Sequence, residues 1–419
     1  MVSSSIVSAQ NRVESPFIIV KIGKYTFGAC SDMSSRKRME QVLKVTYPNY
    51  MQAVNIVKVN GAVNTYNLRM EYGITEVDDP NMLEKVFSSV SKSREIQLSY
   101  GDWNAPAFIY KEETAIITKV ASNVDFNNSK IIYTVTCVSS ALSLKAGNFS
   151  FGARTAKPSD VLIELLKNES NGLSTIYTGM RNITKVGLNS LIARDDKKVK
   201  IEAKDSINIL DYIAYLVNCM VDQNDAGGTL KKANYFWAVY DDINNEFGGT
   251  YFKVVKVTAG TQYNISYSTY EVDIGYPSGS YVSSFTVNSD NTWSILYDYS
   301  KEIQQPQYSY SINKNGDIVS VESPAITRSS TYLKTTEADK TWWTQMTQFP
   351  ITAKLVIKGL LRPTLLMTYI KVNTYFFGHK HVSSGLYIIT RQEDCIDSGG
   401  YKTTLSLTRI SGDTDYASC

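Results

Sequence analysis

The sequence predicts a β-rich α+β protein of several domains, with short helices packed on its sheets. Three observations carry that prediction. Apolar and polar residues alternate with period two in many short runs, the pattern of half-buried strands. Tyrosine is abundant, 29 residues against 14 Phe and 5 Trp, and it favours strands and interfaces where the ring is buried and the hydroxyl stays wet. A length of 419 residues exceeds one ordinary core and suggests roughly two to four domains.

Residues 1–150 read as a barrel or strongly curved sheet with one helix against it. Phe17 to Ile22 is a nearly continuous apolar strand, Ile56 to Val59 is another, and Asn60-Gly61 follows as a turn. Tyr66, Leu68, Met70 and Tyr72 then share one face, opposite Asn67, Arg69 and Glu71. Asp79-Pro80 opens a helix with Met82, Leu83, Val86, Phe87 and Val90 as its apolar stripe. Strands resume at Ile96 to Tyr100, Phe108 to Tyr110, Ala115 to Val120 and Ile131 to Val138.

Residues 151–228 supply two helices expected to pack on a core. Lys157-Pro158-Ser159 introduces Val161, Leu162, Leu165 and Leu166; Asp205-Ser206 introduces Ile207, Leu210, Ile213, Ala214, Val217 and Met220-Val221, and Gly227-Gly228 ends the region. The segment 229–345, rich in Tyr, Ser, Asn and Gly with strands near Tyr251 to Val257 and Ser280 to Val287, reads as an inserted β domain facing solvent or partners. Residues 346–419 are again β. Ser384 to Thr390 and Gly399 to Arg409 are two strands around a Gly-rich turn.

The chain also echoes itself. Ile116-Ile117-Thr118-Lys119, a loop, then Tyr133-Thr134-Val135-Thr136 matches Ile388-Ile389-Thr390-Arg391, a loop, then Tyr401-Lys402-Thr403-Thr404. Hairpins are common, so chance and a true repeat both stay open on this match alone; a repeat means two copies of one barrel.

Charge is balanced, 43 Lys+Arg against 40 Asp+Glu, which argues against a nucleic-acid-coating protein. The cysteines Cys30, Cys137, Cys219, Cys395 and Cys419 are odd in number and lack a CxxC pair. Buried free thiols in a reducing cytosol are expected, not a disulfide framework or thiolate zinc site. Met1 to Gln10 lacks the basic start and apolar core of a signal peptide, and no apolar run approaches the ~18 residues of a membrane span.

Catalytic and metal chemistry finds little support. His379 and His381 alternate on a strand, but they are the only histidines and a metal site needs further ligands. The carboxylate pairs Glu112-Glu113, Asp195-Asp196 and Asp241-Asp242 put neighbours on opposite faces of a strand and read as solvated turns or strand edges. A histidine triad has no room here, and neither a phosphate-binding loop nor a dinucleotide turn occurs. Arg194, Lys197, Lys198 and Lys200 are interleaved with acids and read as a solvated strand edge; Arg36-Lys37-Arg38 suits a loop or inter-subunit pairing. No catalytic, cofactor-binding or metal residue is therefore assigned, and an enzyme is not expected.

Three stretches in order carry a family resemblance: Phe17 to Gly23 with Tyr25, Phe27 and Tyr47-Pro48-Asn49-Tyr50; Asn64-Thr65-Tyr66 through Asp78-Asp79-Pro80-Asn81, Tyr100-Gly101-Asp102 and Phe108 to Glu113; and Ile351 to Arg409. This arrangement resembles the tail or baseplate hub proteins of tailed phages and related injection machines, over about the first 225 residues and the last 70. The resemblance implies two tail-tube-like barrels per subunit, one in 1–150 and one built from 151–228 with 346–419. It implies a homotrimeric, pseudo-sixfold ring that joins the tail tube to a spike or tip, touches other baseplate components and passes DNA transiently through its lumen. It implies no cofactor and no stable membrane insertion, and a virion protein assembled in the host cytoplasm. Two rivals remain: a receptor- or glycan-binding tail protein using Trp237, Trp293 and Trp342-Trp343, and a peptidoglycan hydrolase, which no sequence feature favours.

Overall fold

In the computed structural model the chain is described over residues 16–30, 44–45, 51–73, 86, 95–102, 110–167, 191–227, 230–242, 250–258, 270–274, 282–293, 295–296, 308–312, 315, 318–322, 337–359, 365–376, 379–397 and 399–412. The first strands are β1 (Pro16–Ile22), β2 (Tyr25–Cys30), β3 (Met51–Val59), β4 (Thr65–Gly73), β5 (Glu95–Asp102), β6 (Tyr110–Asp125) and β7 (Lys130–Val138). Next come the short β8 (Phe149–Phe151) and β9 (Arg154–Ala156), helix α1 (Pro158–Lys167), β10 (Val199–Ile201), β11 (Lys204–Ile207) and helix α2 (Ile209–Cys219). The middle holds β12 (Ala233–Tyr240), β13 (Tyr251–Thr258), β14 (Tyr270–Ile274), β15 (Val282–Ser289), β16 (Tyr308–Ile312), β17 (Ile318–Glu322) and helix α3 (Glu337–Gln348). The last strands are β18 (Ile351–Lys358), β19 (Tyr369–Phe376), β20 (His379–Lys380), β21 (Gly385–Asp397) and β22 (Gly400–Gly412).

A 14-stranded sheet dominates, in the order β15-β18-β22-β21-β3-β4-β7-β6-β5-β1-β2, with β19 beside β21 and both β14 and β20 beside β19. The β-rich prediction is met. Alternation does what it should: Tyr66, Leu68, Met70 and Tyr72 are buried while Asn67 and Arg69 are exposed. Asn60-Gly61 turns the chain with Gly61 at φ 73°, a conformation glycine adopts without strain.

Four strands of this sheet occur twice. In β3-β4-β7-β6, Ile117 pairs with Cys137 and then Lys119 with Thr136, leaving Thr118 as an extra residue. In β15-β18-β22-β21, Ile389 pairs with Leu407 and then Arg391 with Ser406, leaving Thr390 extra. Both threonines close their bulge alike: the Thr118 hydroxyl donates to the Thr136 carbonyl at 3.1 Å and that of Thr390 to Ser406 at 3.2 Å. A second bulge also recurs, between Met51 and Ala53 opposite β4 and between Val282 and Ser284 opposite β18. Two bulges in matching register outweigh a chance hairpin match, since bulges are specific features of a strand pair. The sequence echo is right for its first strand; in the second, Thr136 corresponds to Ser406 and not to Thr404, a two-residue shift that keeps the same face.

Three apolar cores underlie these strands. One lies among β1–β7 and takes in Ile396 and Tyr401 from β21 and β22, another joins α1 and α2 to β12 and β13, and the third lies among β18, β19, β21 and β22 with Ala238, Tyr240 and Val257 from the β12–β13 hairpin. Both helices are core elements as expected, although α2 starts at Ile209 and not at Asp205. Residues 204–207 are taken by β11, which pairs with β8, and the Asn208 side chain caps the helix by accepting the Asp211 amide at 2.9 Å. The helix expected from Asp79 lies outside the described residues, except that Val86 is helical and buried.

The segment 229–345, expected as an inserted domain, contributes β14 and β15 to the main sheet. Polar residues are frequent in β15 because it is an edge strand whose side chains are exposed or half-buried. α3 is fastened to the end of α2 by Lys231, a buried ammonium that donates to the carbonyls of Asn218 and Met220 at 2.9 and 3.0 Å and to the Thr341 hydroxyl at 2.6 Å. A cation at a helix C-terminus satisfies orphan carbonyls and opposes the dipole. Burial pushes its pKa down to about 8.

Candidate assembly surface

The two sheet units meet where β21 runs past its bulge. Arg391 to Ile396 pairs antiparallel with Val59 to Val54 of β3, and the Asn60 amide donates to the Thr390 carbonyl at 2.9 Å. The outward row is tied by Asn55 Nδ2 to Glu393 Oε1 at 3.1 Å. The inward row buries Val54, Ile56 and Lys58 against Gln392, Asp394 and Ile396.

A band of buried polar groups locks this junction. Lys58 Nζ lies 2.5 Å from Glu113 Oε1, and Tyr100 and Tyr66 donate to the same carboxylate at 2.6 and 2.8 Å. Burial works to raise the Glu113 pKa, but the Lys58 charge and these hydrogen bonds win and hold it below the usual carboxylate range. Across the junction Asp394 accepts from Gln392 at 2.7 Å and Thr403 at 2.6 Å, and the Tyr401 ring meets the edge of Tyr100 at 6.2 Å.

Asp241, at the end of β12, is the second carboxylate of this band. It accepts from Asn64 at 2.7 Å, Ser139 at 2.6 Å, Thr250 at 2.8 Å and Tyr66 at 3.0 Å. Burial, with the Glu113 charge nearby, pushes its pKa up despite those donors. Tyr66 bridges the two carboxylates, its hydroxyl lying 2.8 Å from Glu113 and 3.0 Å from Asp241. The β12–β13 hairpin is thereby anchored to β4 and β7.

The carboxylate pairs are only half what sequence suggested. Neighbours do face opposite ways, but Glu113, Asp196 and Asp241 are buried, not solvated. Each finds donors that sequence spacing does not reveal; Asp196 accepts the Ser159 amide at 2.9 Å at the start of α1. Asp195 meets Lys256 at 2.6 Å and is part-exposed. Arg194, Lys198 and Lys200 are exposed as expected, whereas Lys197 is half-buried and donates to the Asp225 carbonyl at 2.6 Å; Arg36-Lys37-Arg38 lies outside the described residues.

His379 opens β20 opposite Phe376 and His381 directly follows that strand, where its Nδ1 contacts the Ser383 hydroxyl at 2.8 Å. Among the described residues no three His, Cys, Asp or Glu side chains are grouped to hold a metal. Cys137 and Cys219 are buried free thiols and Cys395 is a half-buried one; burial pushes Cys137 up to about 12. Trp237 is buried against Phe252 and offers no stacking face, whereas Trp293 and Trp342 pair edge to face at 5.0 Å. No helix among the described residues is long and apolar enough to cross a membrane.

The other side of this surface is an open edge among the described residues. There β6 continues past its bulge from Lys119 to Asp125 with β7 on one flank only, and β15 ends the described sheet at its far side. Val120 and Val124 are 37% and 41% exposed there, which an apolar strand edge does not normally leave uncovered.

No family model and no curated protein matches this chain. Solved structures do. The chain is similar to the 43 kDa tail protein of prophage MuSo2 from Shewanella oneidensis, at 10% identity and a TM-score of 0.48, over 94% of this chain and 96% of that one. It is similar to the tail protein from Neisseria meningitidis MC58, at 9% identity and a TM-score of 0.49, over 94% and 96%. A third is the E. coli c3393 protein, a type VI secretion component described as similar to the T4 tail proteins gp27 and gp5; it matches at 8% identity and a TM-score of 0.45, over 87% and 76%. The likeness to phage tail proteins spans most of the chain.

Proposed function

We propose that this chain is a structural tail hub. Three copies form a homotrimeric ring of six similar tube-like units, which joins the sixfold tail tube to a threefold spike or tip and surrounds a passage for DNA. The observation that carries this reading is the doubled, identically bulged four-strand unit. One chain that presents the same edge twice lets three chains offer six equivalent contacts, the physical requirement of an adapter between threefold and sixfold partners.

The outward strand rows support the same reading. Asn67, Arg69 and Thr134 in the first unit and Thr352, Lys354 and Lys402 in the second are exposed and polar, with one cation in the first set, paired with Glu71 at 3.4 Å, and two in the second. Such a wall suits a water-filled passage that must release DNA, because tight binding needs many uncompensated cations. The buried carboxylates act as fasteners, so no catalytic step is assigned to them. The protein's place is then the virion, at the tail tip, with the tube, the spike and other baseplate components as partners.

Native mass spectrometry of the chain, alone and mixed with the tube and tip proteins of its particle, tests the proposal. A trimer in either condition is expected. A chain that stays monomeric in both overturns it.

A further inference from the structure

The junction inside the chain specifies a junction between chains. We propose that Lys119 to Val124 of β6 pairs antiparallel with β15 and the residue after it, Phe285 to Asp290, of a second copy of this chain. The bulges make the correspondence residue by residue. Thr118 matches Thr390, so Lys119 to Val124 matches Arg391 to Ile396. The second bulge matches Ser284 with Ala53, so Phe285 to Asp290 matches Val54 to Val59. The first stretch of each match is paired with the second inside the chain, as β21 on β3; the remaining two, on β6 and β15, are both open among the described residues.

Transferring that register sets Val124 against Phe285, Ser122 against Val287 and Lys119 against Asp290. The inward row then covers Val120 and Val124, the exposed valines of β6, with the half-buried Phe285 and Val287. Their counterparts Gln392, Ile396, Val54 and Ile56 are buried in the internal junction. The end pair brings Lys119, an exposed cation, to Asp290, an exposed anion. Asn291 and Thr118 repeat the Asn60 amide and Thr390 carbonyl that close the internal seam. One edge of each kind per chain gives a head-to-tail contact, which closes into a ring when the rotation permits. The number of copies in that ring rests on the hub reading; the seam itself does not.

The test is cysteine trapping in the full-length chain with Cys30, Cys395 and Cys419 replaced by Ser. Asn123→Cys and Thr286→Cys, both at exposed positions, come directly opposite at the seam, where cross-strand Cα atoms lie ~4.5–5.5 Å apart, within disulfide reach. Mixed under mild oxidation, the two single variants should form a covalent heterodimer at least tenfold faster than either alone. The double variant should give a ladder that ends at the closed ring. Adding Val120→Lys and Val124→Lys should suppress trapping at least tenfold with unchanged circular dichroism, since these side chains are on the open edge. A trimer by mass spectrometry without trapping overturns the seam and leaves the hub reading standing. A monomer at high concentration without trapping overturns the seam, and the hub reading is then decided by the mixture with tube and tip proteins.

Discussion

In the first sheet unit the inward rows of β3, β4 and β6 carry Lys58, Tyr66 and Glu113, whereas the register-equivalent positions of the second unit hold Ser289, Ala353 and Gly385. The two units share strand order and bulges and differ in what fills them. Gly385 has no room for a side chain, because a Cβ there would come within 2.5 Å of the Ser411 carbonyl. Glu113 sits at the matching place with three hydrogen-bonded partners. The bulges define the unit, and the core chemistry is free to follow local need. In the first unit that need is to hold the β12–β13 hairpin through Asp241.

The comparison breaks most visibly at Glu113. Glu113→Ala removes the buried carboxylate that Lys58, Tyr66 and Tyr100 all contact and should cost ~3–5 kcal/mol in urea unfolding. Adding Lys58→Met should recover a large part of the loss, because an apolar pair carries no buried charge to desolvate. A cost for Glu113→Ala below ~1 kcal/mol would mean that the pair is hydrated and that the contrast between the units is false.

A smaller effect separates the two carboxylates by pH. Asp241 is raised in the fold, so its contribution is present in acid and declines as pH climbs from the ordinary carboxyl value of ~4 through the raised one. Glu113 is lowered, so its contribution is present above that ordinary value and is lost as pH falls through the lowered one. Asp241→Asn should therefore flatten the loss of stability on the alkaline side of ~pH 4, and Glu113→Gln the loss on the acid side. Melting temperatures across the pH range read both; identical slopes for the two variants would refute the assignment.

The smallest effect sharpens the likeness. Thr118→Val and Thr390→Val each remove one hydroxyl bond across a bulge and should cost ~0.5–1 kcal/mol apiece. The sites are far apart in the sheet, so the double variant should show the sum. A cost confined to one of them would show that only that bulge depends on its threonine.

Most strands were legible from sequence because burying one face imposes period two, as in Tyr66 to Tyr72. The helix start at Asn208 was missed because the preceding Asp205-Ser206 imitates a cap, and only the pairing of β11 with β8 removes those residues from the helix. Glu113, Asp196 and Asp241 were read as solvated because a carboxylate's donors come from distant sequence: Lys58 and Tyr66 for one, Ser159 for another, Asn64 and Ser139 for the third. The internal repeat was visible as Ile117-Thr118-Lys119 against Ile389-Thr390-Arg391. Its meaning waited on the registers, because a bulge is a property of two strands and leaves only a threonine in either one.

The β21–β3 junction also sets a problem of timing. Asn55 and Glu393 are 338 residues apart in the chain, and synthesis at ~5–20 residues per second leaves β3 without that neighbour for on the order of tens of seconds. A nascent strand waiting that long is exposed to capture by whatever else the ribosome neighbourhood offers. Lys58 puts a charge on the inward row of the waiting strand, and an inward charge is a known guard against unwanted edge pairing. Glu113 follows Lys58 by 55 residues, so the bare charge guards β3 over roughly the first 3–11 s, after which the ion pair holds the strand in its own half. The same lysine is then a brief guard at the translating ribosome and one half of a buried clasp in the folded chain.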